Sequence, residues 1–275
     1  MGTRRTPAPR RSRPRTARVK KPDPWQIQQH PNPEVSIIIP AMNERSTIVD
    51  VLWEANQVDP KSEIIVVVNG STDGTDGLAQ LHGAKLLRYP YALGHDVGRR
   101  VGAETARGNI LLFLDADMRV PAKDLRHFVE AIRQGTDVAL NDYSGPVHRL
   151  VAHPVVLAKH TLNLMLQRPD LEGASMTAVP HALSRNALYQ IGMASLEIPP
   201  LAQAIAITRG MNVRRVHQVS AGKLNASRPK IQGTDPLSSL VIGDHLEAVH
   251  WLVQHLGPRG GQPDLGRQRD RVRGT

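Results

Sequence analysis

The run Ile110–Leu114 is wholly apolar and ends abruptly in Asp115, Ala116 and Asp117. A short continuous apolar run suits a strand buried on both faces, as in the middle of a parallel sheet. Two carboxylates then fall at the strand's carboxyl end. Side chains alternate along a regular strand, so Asp115 and Asp117 share one face. Adjacent carboxylates repel unless a cation lies between them or one keeps its proton. Hard oxygen ligands of this kind suit Mg²⁺ or Mn²⁺ that also holds a phosphate. Taken alone, the pair is equally the polar turn that ends any buried strand. The segments upstream decide between the two.

Val35–Ile39 is a second apolar run, closed by Pro40, and Glu63–Val68 is a third. Between them a helix is expected from about Ser46, with Ile48, Val51, Leu52 and Ala55 at helical spacing. Asn69–Thr75 is a turn-rich loop whose Ser, Thr and Asp can cap the next helix. A short strand at Lys85–Arg88, a helix over Asp96–Arg107 and the strand at 109–115 follow. Alternating strands and helices imply an α/β fold, a mostly parallel sheet flanked by helices on both faces. Ligands of such sheets bind outside the carboxyl ends of the strands. The loops after residues 39, 68 and 114 all lie at that edge. Further on, helices are expected over Pro121–Arg133, Pro154–Gln167 and Ser184–Ile191, and strands over Gly173–Val179 and Val213–Val219. A last helix starts at Thr234-Asp235-Pro236, where proline suits the first turn. The apolar side of Pro154–Gln167 suits core packing better than a membrane surface.

The net charge of +10 is unevenly placed. Residues 1–21 carry +9 and residues 257–275 carry +3, which leaves the stretch between them at −2. One domain is therefore expected over 34–256, after a disordered basic tail (1–33) and before a flexible Gly/Arg-rich tail (257–275). The first tail suits contact with nucleic acid or an anionic membrane, and equally a solvated leader. Cysteine is absent, which excludes disulfides and thiolate chemistry and fits a reducing compartment. No apolar run is long enough to span a bilayer and no stretch reads as a secretory signal. A cytoplasmic chain is expected, with peripheral membrane contact left open. Twelve histidines without a pair at helical spacing suggest no zinc site.

Four stretches in order carry a resemblance: Val35–Glu44, Glu63–Thr75, the glycines Gly94, Gly102 and Gly108, and Ile110–Asp117. Together they resemble the nucleotide-sugar domain of GT-A glycosyltransferases, family-2 type, which has a Rossmann-like fold. The resemblance implies a metal-dependent glycosyltransferase that uses a nucleoside diphosphate sugar, UDP- or GDP-linked, with an acceptor it does not name. It implies a first loop, Pro40, Ala41, Asn43 and Glu44, around the nucleoside. Asn69 stands where many relatives carry an Asp that reads the base; the amide both donates and accepts. Gly70 allows close backbone approach, and Asp73 caps the helix or orients the loop. Gly94 belongs to the donor side, and His95, Arg99 and Arg100 are cation candidates for phosphate contact, of which one is expected to act and the others to lie on a solvated helix face. Asp115 and Ala116 contact the donor, Asp115 touches ribose or metal, and Asp117 is the main ligand to Mg²⁺ or Mn²⁺.

The second half matches that pattern less well. Where many inverting relatives carry an acidic pair, this chain has Glu197 alone, the candidate catalytic base or acceptor-orienting residue. Leu196–Ile198 and Val216–Pro229 also resemble retaining glucosyl-3-phosphoglycerate synthases, which implies His217, or less well Asn225, as a third metal ligand. Two rivals remain: a non-catalytic relic that keeps the nucleotide-sugar pocket, and a nucleotidyltransferase. The latter usually needs a Gly-rich basic loop after the first strand, which Pro40–Glu44 lacks.

Overall fold

The computed structural model describes residues 25–145, 151–220, 236–268 and 271. Among these, seven strands form one sheet: β1 (Val35–Ala41), β2 (Ser62–Asn69), β3 (Lys85–Tyr89), β4 (Ile110–Phe113), β5 (Val138–Asn141), β6 (His181–Ser184) and β7 (Val213–His217). Their order across the sheet is β3-β2-β1-β4-β6-β5-β7. Of the described strands only β6 runs against the rest, antiparallel to both β4 and β5. The helices are α1 (Ile48–Ala55), α2 (Thr75–Leu81), α3 (Val97–Thr105), α4 (Ala122–Arg133), α5 (Pro154–Met165), α6 (Arg185–Ile191), α7 (Pro199–Thr208) and α8 (Pro236–Leu256). The mostly parallel α/β sheet is thus as expected.

The strand order places the site. From β1 the chain steps outward to β2 and β3, then returns to lay β4 on the other side of β1. A crevice opens at such a reversal, between the carboxyl ends of the two strands that flank it. Here those ends are the Pro40 loop and the Asp115–Asp117 turn. The register holds them level: Phe113 pairs with Ile38, and Leu114 N–H donates to Ile38 O at 3.0 Å. The return helix α3 packs across β1 and β2. It can lie that close because Gly102 has no side chain; a Cβ there would come within 2.4 Å of Ile38 Cγ2.

Five boundaries differ from the sequence expectation. Trp25 and Ile27 are buried, and Gln29 exchanges hydrogen bonds with the backbone of Ile64 at 2.9 and 3.1 Å. The fold therefore begins by residue 25 rather than near 33, because two apolar side chains beyond the charged tail reach the core. The Gly/Arg-rich end is not wholly a tail: Gly261 N–H donates to Leu256 O, and Gln262 Nε2 donates to Met165 O at 2.8 Å. β4 is shorter than expected, so Asp115 and Asp117 sit on a turn after it and not on a regular strand. The strand expected over Gly173–Val179 is a series of turns, and β6 follows it. Its backbone groups bond side chains instead of a neighbouring strand: Asn163 Nδ2 donates to Glu172 O and Ala174 O, and Met176 N–H donates to Gln203 Oε1. β5, with only three apolar residues, carried too little pattern to be predicted. The start of the last helix at Thr234 and Asp235, and the candidate Asn225, lie outside the described residues.

Candidate active site

The loops after β1 and β2 are stitched together. Asn43 N–H donates to Ser71 Oγ (3.0 Å), Thr72 N–H to Asn43 Oδ1 (2.9 Å), and Glu44 N–H to Thr75 Oγ1 (2.9 Å). Asn43 takes a left-handed backbone (φ 57°), which asparagine tolerates better than most residues. Asp73 accepts from Thr75 Oγ1, Thr75 N–H and Arg45 N–H. The Thr75 hydroxyl first, then these amides, hold its carboxyl below the usual range, so it is a fixed anion that orients the loop. Asn69 is buried and spans two walls: Nδ2 donates to Ala41 O (3.3 Å) and Oδ1 accepts from Leu93 N–H (3.1 Å). Gly70 (φ +62°) leaves room that a Cβ would take, 2.8 Å from Ala92 N.

These loops enclose a cleft of about 310 Å³. Pro40, Ala41, Glu44, Asn69, Gly94, His95, Arg99, Asp115, Ala116 and Asp117 all line it. Of the expected donor-side residues, Asn43, Gly70 and Asp73 do not; they shape the loops behind it. The floor is a buried guanidinium. Arg99, 3% exposed, ion-pairs with Asp96 and donates to Asp115 Oδ1 at 3.0 Å. Nearby, His181 is buried, stacks on Phe113 (5.0 Å) and bonds Ala178 O through Nδ1 (3.2 Å). Burial, aided by the Arg99 charge, pushes its pKa down to about 3, so it is a neutral packing group. The cleft is lined by four carboxylates, from Glu44, Asp96, Asp115 and Asp117, against one guanidinium. A second compartment, about 380 Å³, adjoins it and shares the wall made by His95, Arg99, Asp115 and Leu237.

The model of glycosyl transferase family 2 matches residues 36–189, more than half of the chain. The chain belongs to that family. Among curated relatives, the undecaprenyl-phosphate 4-deoxy-4-formamido-L-arabinose transferase of Aeromonas hydrophila is 33% identical over 116 residues, 38% of this chain and 35% of that protein. The 4,4'-diaponeurosporenoate glycosyltransferase of Staphylococcus haemolyticus is 32% identical over 147 residues, 51% of this chain and 38% of that protein. The chain thus spans little more than a third of these relatives' length. Among solved structures, glucosyl-3-phosphoglycerate synthase from Mycobacterium tuberculosis in complex with UDP has a TM-score of 0.61 at 24% identity, covering 85% of this chain and 82% of that one. At that identity the likeness shows a shared GT-A-type fold.

Two expected site residues of this family-2 chain stand apart from the cleft. Glu197 ends a 3-10 turn (Met193–Glu197) that packs on α3. Its Oε1 accepts from Arg100 Nη1 at 3.0 Å, and neither residue lines either compartment. Arg100 and Arg99 are neighbours on α3, so they point in different directions, and Glu197 sits on Arg100's side. His217 is held 3.2 Å from Asp124 Oδ1 and stacks on His127 at 4.3 Å, and it does not join Asp115 and Asp117. Among the described residues no three His, Asp or Glu side chains group closely enough to hold a metal by themselves. Sequence reading missed Asp96, Ala92 and Leu237 in the lining. The Asp96–Arg99 spacing of three was the available signal for the first. Nothing local marks Leu237, which arrives from α8.

Proposed function

We propose that this chain transfers a sugar from a nucleoside diphosphate sugar, UDP- or GDP-linked, to an acceptor in the second compartment. One observation carries the reading: the Pro40 loop, Asn69 and the Asp115–Asp117 turn converge on one cleft at the sheet reversal. Pro40, Ala41 and Asn69 offer the apolar and backbone wall that a nucleoside needs. Gly94, His95 and Arg99 stand on the diphosphate side, where Arg99, paired with Asp96 and Asp115, offsets part of their negative charge.

A lining with four carboxylates repels a diphosphate unless a cation intervenes. Asp117 and Asp115 offer oxygen donors only, and the described residues supply no third ligand. That fits Mg²⁺ or Mn²⁺, which commonly uses one or two carboxylates and completes its shell with substrate phosphate and water. Bound there, the ion would supply Lewis-acid stabilisation of the leaving diphosphate. Arg99, already on Asp115 Oδ1, fixes that carboxylate's direction and leaves Asp117 as the main ligand. Crystals of the mycobacterial synthase hold UDP with Mn²⁺ or Mg²⁺, which supports UDP as the donor nucleotide.

A thermal-shift series with UDP, GDP and dTDP, with and without Mn²⁺, tests the reading. Expected is stabilisation by UDP or GDP that depends on Mn²⁺, about 2.7 kcal/mol at a hundredfold excess over Kd. No stabilisation by any of the three with Mn²⁺ would overturn it.

One observation favours the non-catalytic rival: the second compartment is lined by a single carboxylate, Asp115, already held by Arg99. The two readings part on turnover. Mn²⁺-dependent release of UDP from UDP-glucose, the glucosyl group passing to water or to the hydroxyl of an added acceptor, supports transfer; tight binding with no release across a panel of acceptors supports the relic.

A further inference from the structure

Asp96 is the N-cap residue of α3, yet its side chain caps nothing. An aspartate at that position ordinarily accepts from an amide of the first turn. Its backbone is also left-handed (φ 64°), a region that glycine occupies freely and aspartate at some cost. Strain of this kind gathers at functional sites. The carboxylate is buried and turned to Arg99, three residues on and also buried. Its other oxygen lies 3.7 Å from His95 Nε2. Arg99 Nη2 in turn donates to Asp115 Oδ1 at 3.0 Å. One guanidinium thus bridges two carboxylates, with its Nε buried and unpartnered among the described residues. A guanidinium without counter-ions in this cleft would clamp a diphosphate unaided. Asp115 alone would offset its charge. With Asp96 added, the local sum is negative before Glu44 and Asp117 are counted.

We infer that Asp96 is a positioning residue that makes the donor cleft depend on a divalent cation. It cancels the charge of Arg99, so the guanidinium alone does not hold a diphosphate, and Asp115 and Asp117 keep the negative field that draws Mg²⁺ or Mn²⁺. The inference rests on the donor cleft proposed above and deepens it by naming the residue that sets its cation requirement. Asp96 acts through Arg99. It is no ligand itself in this arrangement, because its two oxygens already face Arg99 and His95. A full charge a few ångströms away changes the affinity for a dication by about tenfold or more, even at a high effective dielectric.

Calorimetric titration of UDP into the full chain, once with Mn²⁺ and once with EDTA, tests this in wild type, Asp96→Asn and Asp96→Gly. Asparagine tolerates the left-handed backbone and keeps an oxygen for Arg99 but removes the charge. Glycine removes the side chain and relieves the backbone. The readout is the factor by which Mn²⁺ strengthens UDP binding. In both variants that factor should fall by at least about tenfold. Part of the fall should come from metal-free UDP affinity that rises above that of wild type. A merely structural role would weaken UDP with and without metal alike and leave the factor unchanged. Melting temperatures show that the variants fold, and asparagine, the smaller change, decides if glycine does not. A factor equal to that of wild type in Asp96→Asn would overturn the inference, and so would metal-free UDP affinity that falls in both variants. Absence of Mn²⁺-dependent UDP binding in wild type would instead overturn the donor reading, and this inference with it.

Discussion

Glu197 shows how a residue can look catalytic in sequence and stand elsewhere in space. It is the only acid between Glu172 and Asp235, so elimination pointed to it. Spacing in sequence ignores direction: Glu197 meets Arg100, the neighbour of Arg99 on α3, and neither Arg100 nor Glu197 lines either compartment. Glu197→Gln should therefore leave turnover within about threefold, against the ~10²–10⁴-fold loss expected of a general base. Steady-state rates of Mn²⁺-dependent UDP release by the two proteins decide this, and a loss in the larger range would restore the base role. His217 is held by Asp124 at 3.2 Å and forms no ligand group with Asp115 and Asp117 among the described residues. The place of Asp115 and Asp117 beside the cleft was legible because the apolar run before them is a strand, although both sit on the turn that follows it.

Elements differ in how much pattern they carry. β1, β2 and β4 are apolar runs whose residues are almost all buried, so their existence and direction could be read directly. β5 and β6 are four residues each, too short for alternation to show, and β6 follows turns held by Asn163 and Gln203. α8 has a different character. It buries Asp244 and His245 together with Ala248 and Leu252. Burial, and then the charge of Glu247, pushes the Asp244 carboxyl up to about 6. A folded-state pKa above the unfolded one means that the native state binds the extra proton. The contribution to stability is full below about pH 4 and is lost as pH rises through about 6. Asp244→Asn should remove that dependence and leave the chain more stable at pH 7 by ~2 kcal/mol. Denaturant melts of both proteins from pH 4 to 8 check it; parallel curves would show that the carboxyl is solvated.

At the scale of the whole molecule, the basic ends lie outside the charge balance of the fold, whose central part carries −2. Yet the fold reaches further toward the N-terminus than charge suggested. Trp25 stacks on His82 at 4.3 Å and meets Trp53 edge-on at 5.2 Å. Trp25→Ala should cost about 3–5 kcal/mol, the range for removal of a buried large aromatic, while deletion of residues 1–21 should leave the melting temperature nearly unchanged. A larger loss from the deletion than from Trp25→Ala would show that the basic segment itself packs on the domain. No helix of the described residues is long and apolar enough to cross a membrane. The donor cleft is the feature on which the rest depends, because the sheet reversal, the stitched loops and the acidic turn all meet there. It is tested most directly by calorimetric titration of UDP, with and without Mn²⁺, into wild type and Asp117→Ala. Expected is binding by wild type that needs Mn²⁺ and that Asp117→Ala loses with its melting temperature intact. Equal Mn²⁺-dependent affinity in the two proteins would contradict the assignment of this cleft as a metal-assisted nucleotide-sugar site.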